Sequence, residues 1–336
     1  MKREDLYPED AEQIKEKEYY SLKKPFLITR YGEAFLDAII FLLLTVGLFF
    51  AGRATLYQPF GHTEAVNFVH ERLAESSLYV EALEGYYDRT DTRFYDETIS
   101  PEENLEYPIL YYYTNFDYPR ENKKLDAYFS AKKEATSIWK AVSSESYSLP
   151  KGTAIEEIKS WMTSHYERSE EATSAMAKKW LSEQYAEATY FLEHEPAYIA
   201  AANKAVYIDY FVVLIAELLA WGFYYVLLPM LLHGKTLFKI IFRMGLADKY
   251  TDQEPKKIQI FVREFVFLLL CIVLPTTWYF LIGSGIGYLA FLFPLVEIFV
   301  TGILSKSNTS IHDLLSHTYV ISTAKSAADI VLEQKK

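Results

Sequence analysis

The chain is poor in the residues that mark several protein classes. It holds one cysteine, Cys271, in 336 residues, so neither a disulfide framework nor a cysteine-rich zinc module can form within one chain. Thirteen glycines and twelve prolines are too few for a collagen-like or low-complexity polymer. Positive charge is in deficit, with 34 Lys and Arg against 45 Asp and Glu. The resulting net charge of −11 argues against broad nucleic-acid binding, which needs cations to meet phosphate. Catalytic strings are missing too: no H-E-x-x-H, G-x-S-x-G or P-loop occurs. Gly283-Ser284-Gly285-Ile286-Gly287 departs from G-x-G-x-x-G and reads as a tight hairpin. His62 and His70 are eight apart, not at the i, i+4 spacing of a helical zinc pair. His194 between Glu193 and Glu195 reads as a solvated patch rather than a metal site. The expectation is therefore no enzyme, no cofactor and no metal.

Apolar residues are plentiful but unevenly spread. The mean hydropathy of −0.02 averages a polar segment with four long runs: Ala34 to Ala51, Val206 to Leu232, Phe265 to Ile282 and Ile286 to Leu304. About 20 mostly apolar residues cross a bilayer as a helix. Backbone groups find no water in lipid, so such runs must be helical. Soluble core helices are usually shorter and amphipathic. A cleavable signal is the alternative for the first run, but its acidic 33-residue lead is long and its apolar stretch exceeds the usual h-region. The fold class expected is all-α: a four-helix transmembrane bundle with a large helical extracytoplasmic insert between helices 1 and 2.

Charge sets the orientation. Lys23, Lys24 and Arg30 precede the first run, the segment 233–264 has seven Lys and Arg against four Asp and Glu, and Lys306, Lys325, Lys335 and Lys336 follow the last run. The positive-inside rule puts these segments in the cytoplasm. Residues 53–205 carry 26 acidic and 16 basic side chains, nearly all of the net charge, and fall outside. The expected layout is residues 1–30 cytoplasmic, helix 1 over 31–52, the exterior domain over 53–205 and helix 2 over 206–232. A cytoplasmic loop with an interfacial segment follows over 233–264, then helices 3 and 4 over 265–304 and a cytoplasmic tail over 305–336. Within the insert the apolar pattern is mostly helical, with runs around Phe68 to Leu83, Leu125 to Trp139 and Trp161 to Leu192. Tyr107 to Tyr113 reads as a short strand or packed loop, and Glu195-Pro196 as a break or kink.

Ionisable groups inside a span are costly and need a partner or a function. Arg30, Glu33 and Asp37 fall at i, i+3, i+7 on one stripe of helix 1. Asp209, Glu217 and Glu297 sit in the later runs. Asp37, Asp209, Glu217 and Glu297 are the candidate proton- or cation-handling groups. Interhelical hydrogen bonds and ion pairs are the competing reading, favoured near the helix ends and level with the first at mid-depth.

Three fragments resemble the RDD family of multi-pass membrane proteins, named for one Arg and two Asp. Arg30 to Asp37 is similar to the family's R-x-x-x-A-x-x-D entry into helix 1. Gly234-Lys235-Thr236-Leu237-Phe238-Lys239, running on to Asp248, resembles its G-x-T-x-G-K loop. Ile311-His312-Asp313-Leu314-Leu315-Ser316-His317-Thr318-Tyr319-Val320-Ile321 resembles its closing L-H-D-L-L-A-G-T-x-V-V. Arg263 is similar to a family Arg before helix 3. Phe238 stands where the family usually has Gly, and Asn308-Thr309 where it has Arg. The resemblance singles out Arg30, Asp37, Gly234, Thr236, Lys239, His312 and Asp313, all on the cytoplasmic side, where Arg30, Asp37, Lys239, His312 and Asp313 are expected to cluster. It implies a bacterial plasma (inner) membrane protein; some members have been proposed as cation/proton antiporters. The partners expected are the lipid bilayer, a protein partner for the 53–205 domain and, since four helices are few for a transport path, a second copy of the chain. Transport of cations, protons or a small solute is one expectation. A non-transporting scaffold or assembly factor, whose exterior domain binds a partner protein, is the other.

Overall fold

The computed structural model describes residues 25–83, 85–116, 125, 127–129, 139–141, 149–169, 172–251, 253–282 and 310–323. The chain is mostly helical and divides into two compact units, one made of residues 1–59 and 207–336, the other of residues 60–206.

The first unit is built on long apolar helices. Helix α1 runs Leu27–Phe60, past the end of the apolar run. No residue after Ala51 breaks a helix until Pro59, and Gly61 then turns left-handed at φ 74°. Another spans Pro196–Leu231 and a third Lys257–Ile282. All three are long and apolar enough to cross a membrane. Only 6% of the most apolar window of α1 is buried within the molecule, and 28% and 17% of the other two. Phe35, Leu42, Leu43 and Phe50 stand exposed along α1. So much apolar surface is untenable in water and is matched by lipid. The fourth expected span and its Glu297 lie outside the described residues.

Two of these helices widen to π geometry at one place each. In the second, Gly222–Leu227 is π-helical and Pro229 follows; in the third, Leu269–Val273 is π-helical and Pro275 follows. A proline ring clashes with the carbonyl four residues earlier and supplies no N–H. A wider turn moves that carbonyl aside, so each π turn is the relief of its proline. The same pairing recurs in the second unit, where π-helical Glu102–Glu106 precedes Pro108.

Between the second and third long helices lie a short helix, Leu237–Ile241, and strand Met244–Asp248. That strand pairs antiparallel with Thr318–Ser322, Met244 opposite Ser322 and Asp248 opposite Thr318. Met244, Leu246 and Val320 form a small core there. The short helix Ile311–Ser316 leads into the second of these strands.

The second unit has its own core. Leu105, Ile109, Leu110, Ile158, Met162, Leu181, Ala188 and Leu192 are wholly buried, with Tyr112, Tyr128, Phe129 and Tyr185 among them. The insert's run from Phe68 to Leu83 is not one helix: helix His62–Ser76 ends at left-handed Ser77. A hairpin of Tyr79–Ala82 with Gly85–Asp88 follows, and Leu83 is fully exposed in its turn. Tyr107–Asn115 is a helix, not a strand or loop. Pro108 continues from the π turn that accommodates it, and Ile109, Leu110 and Tyr113 all face the core. The third run is two helices, Ile155–His165 and Ser174–Glu193. Strand Tyr166–Arg168 lies between them and pairs with Trp139–Ala141. Pro196 does mark a break: it opens the second long helix after Glu195.

Candidate functional site

The polar residues of the first unit meet at one place. Arg30, Glu33 and Asp37 on α1 are buried despite the apolar length of that helix. Their i, i+3, i+7 spacing sets them on one stripe, which faces protein rather than lipid. Arg30 ion-pairs with Asp313 and donates to Ser310 Oγ at 3.3 Å. Asp37 accepts from the Tyr224 hydroxyl and from Thr236 Oγ1. Lys239 Nζ lies 3.3 Å from Glu33 Oε1. Arg263 donates from Nε to Asp313 Oδ1 at 2.8 Å, pairs with Glu264, and has Nη2 2.8 Å from His312 Nε2.

Local sequence explains each placement. Thr236 caps the helix Leu237–Ile241, accepting from Lys239 N. That turns Lys239 inward while Leu237, Ile240 and Ile241 are exposed. The same Thr236 hydroxyl donates to Asp37, so one side chain is both cap and bridge. Ser310 and Asp313 form a reciprocal capping box at the start of Ile311–Ser316. Asp313 therefore answers its own helix and two guanidiniums. Gly234, at φ 80°, follows left-handed His233 and returns its N–H to Pro229 O at 2.7 Å, turning the chain toward Thr236.

The cluster holds three fixed cations, Arg30, Lys239 and Arg263, and four carboxylates, Glu33, Asp37, Glu264 and Asp313, each under 8% exposed. Burial pushes the Asp313 carboxyl up, but Arg263, then His312 and Arg30, outweigh it and hold it well below the ordinary carboxylate range. Asp37 accepts from two neutral hydroxyls, with the Glu33 carboxyl and Lys239 also close enough to act on it. Asp248, at the end of its strand, accepts from Gln259 Nε2 at 2.6 Å and from the backbone N–H of Tyr250 at 2.7 Å. It closes a turn and stands apart from the cluster.

Residues 187–317 match the RDD family model. The matched stretch contains the second of the RDD-like fragments and the third as far as His317. The first, on α1, lies outside it, yet Arg30 and Asp37 contact Asp313 and Thr236 inside it. The RDD-like fragments thus converge on one ion network although residues 60–206 intervene between them. No curated protein and no solved structure matches the chain.

Arg30, Asp37, Thr236, Lys239, His312 and Asp313 come together in this network. Gly234 serves it through the backbone. Asp209 and Glu217 are elsewhere: Asp209 accepts from the Tyr57 hydroxyl, and Glu217 Oε1 accepts from Thr276 Oγ1 at 2.8 Å. The second Glu217 oxygen is buried and has no hydrogen-bond partner among the described residues. Glu264, Ser310 and Tyr224 were not anticipated. Ser310 had a readable signal, the S-x-x-D box it makes with Asp313; Tyr224, an aromatic in an aromatic-rich span, had none. Among the described residues no group of three or more His, Cys, Asp and Glu is placed to hold a metal.

Proposed function

We propose that this is a plasma-membrane protein that passes protons or cations, with Glu217 as the group that takes up the ion within the membrane. The observation that carries this reading is the unpartnered, buried Glu217 oxygen. A carboxylate at mid-span must be neutralised, and a proton or a cation at that oxygen does so. Asp37, which accepts from two hydroxyls, is a second station nearer the helix end. The paired charges of Arg30, Glu33, Lys239, Arg263, Glu264 and Asp313 serve as a clamp on the helices rather than as a path. The ends of the chain face the cytoplasm and residues 53–205 face outside, as the lysine and arginine bias requires. No catalytic chemistry belongs to this reading. A fourth span, carrying Glu297, and a second copy of the chain complete the path.

Cation-driven proton flux in liposomes tests it. Wild type is expected to give flux, and Glu217→Gln to abolish it while the protein stays folded. A well-folded wild type with no flux overturns the reading. A non-transporting scaffold is the second reading, favoured by the separate core of the second unit, which fits a partner-binding module.

A further inference from the structure

Two short helices of the first unit leave an apolar face bare beside the ion network. In Leu237–Ile241, Lys239 is buried against Glu33 while Leu237, Ile240 and Ile241 are exposed. In Ile311–Ser316, Asp313 and Ser316 are buried while Leu314 and Leu315 are exposed. At 3.6 residues per turn, positions 237, 240 and 241 share one side of their helix and 239 lies opposite. Positions 314 and 315 likewise stand opposite the 313 and 316 pair. Each helix is thus amphipathic, with its polar side given to the network. Ile241 is 65% exposed and Leu315 58%.

The network fixes the level at which these faces lie. Lys239 meets Glu33, next to Ala34 where the first long apolar run opens. Asp313 meets Arg263, two residues before the run that opens at Phe265. Both short helices are therefore held where two apolar runs begin, at the edge of the hydrocarbon rather than in the water beyond it. At the same level the long helices expose Phe35, Phe261 and Phe265, side chains that already face lipid.

Exposed charge around the faces is mostly of one sign. Lys235 and Arg243 flank the helix Leu237–Ile241, and neither makes an ion pair among the described residues. Lys249, Lys256 and Lys257 are exposed nearby in sequence. Among the described residues of 233–263 and 310–323 the one exposed acid is Glu254, which is met by His233 at 2.8 Å. Apolar side chains at the hydrocarbon edge, with cations at both ends of the helix that carries them, match acyl chains below and anionic headgroups above. We propose that the two short helices lie in the headgroup layer of one leaflet, with Leu237, Ile240, Ile241, Leu314 and Leu315 in its acyl region, and that Lys235 and Arg243 bind anionic phospholipid. This placement requires a membrane but neither transport nor a particular sidedness.

Spin labels test the depth. Ile241→Cys and Leu315→Cys, in the full chain carrying Cys271→Ala, are labelled in nanodiscs, with Leu43→Cys on α1 as the lipid reference. Both short-helix labels are expected to collide more with oxygen, which dissolves in lipid, than with a water-soluble nickel chelate, as the label at Leu43 does. Collisions dominated by the chelate overturn the proposal. So does shielding from both reagents, the signature of a second copy or another protein covering the face. Native mass spectrometry of the folded chain in neutral detergent tests the headgroup, with phosphatidylglycerol and phosphatidylcholine as probes. Phosphatidylglycerol is expected to bind more tightly. Lys235→Gln and Arg243→Gln should each weaken it about fivefold and leave phosphatidylcholine unchanged. Equal affinity for the two lipids, or an unchanged affinity for phosphatidylglycerol in both variants, overturns the assignment.

Discussion

Replacing Asp313 with asparagine would leave Arg30 and Arg263 facing a neutral amide in a site closed to water. Removing one partner of a buried charge pair costs about 3–5 kcal/mol, and here two guanidiniums lose a shared counter-charge, Arg263 keeping Glu264. Asp313→Asn is expected to lower the thermal midpoint in detergent far more than Asp209→Asn. A double-mutant cycle with Arg30→Gln should give a large coupling energy. The pH dependence has a definite sign. The Asp313 carboxyl is depressed in the folded chain, so its contribution is complete above the unfolded carboxylate value of about 4 and declines as pH falls below it. Midpoints measured from neutral to acid pH should fall in wild type and be flatter in Asp313→Asn. Arg30, Asp37 and Asp313 were legible in the sequence because charges beside apolar runs are expensive and so conspicuous. Their partners were legible only in part. Arg30 and Asp313 are separated by 283 positions, and no local pattern records which charge answers which.

At the scale of elements, the prolines govern the long helices. Each π turn shifts everything after it by about one residue, or about 100° around the helix. Pro275 and its π turn therefore fix the direction in which Thr276 points, and Thr276 holds Glu217. Pro275→Ala lets the turn close to α geometry. It should reduce flux as Glu217→Gln does, with the protein still folded by circular dichroism. Gly234→Ala tests a turn instead. A Cβ there meets only Leu246 and Ile260 at ordinary contact distance, so the cost comes from the left-handed backbone, about 1–2 kcal/mol. A drop of that size in urea-derived stability is expected. The existence of the long helices was plain from their apolar length. Their ends were less so, because Arg53 to Gln58 is polar yet helix-compatible and α1 runs on through it. Tyr107 to Tyr113 misled for a related reason: a short aromatic run fits a strand or a buried helix equally, and only contacts with the rest of the core decide it.

At the scale of the molecule, the two units answer to different solvents. The first leaves apolar surface for lipid, whereas the second buries tyrosines in a core of its own. Burial pushes the phenol of Tyr107 up to about 12 and holds those of Tyr79, Tyr113, Tyr128 and Tyr185 above the ordinary value. Groups raised on folding stabilise the fold below their unfolded value and lose that contribution as pH rises past it. The second unit should therefore unfold cooperatively above about pH 10, with tyrosinate absorbance appearing together with the loss of ellipticity. Gradual titration without unfolding would contradict this. That 53–205 would be rich in helix was legible from its apolar spacing; its hairpins were not, since four-residue strands leave too short a period to read.

The ion network also imposes an order on biosynthesis. Arg30 leaves the ribosome early and Asp313 near the end of the described chain, so a half-made protein sits in the bilayer with Arg30 lacking the carboxylate that will receive it. Closing the network is then among the last events of assembly. A nascent chain stalled before residue 310 lacks the carboxylate that Arg30 and Arg263 share, so the helix ends it joins are not yet clamped.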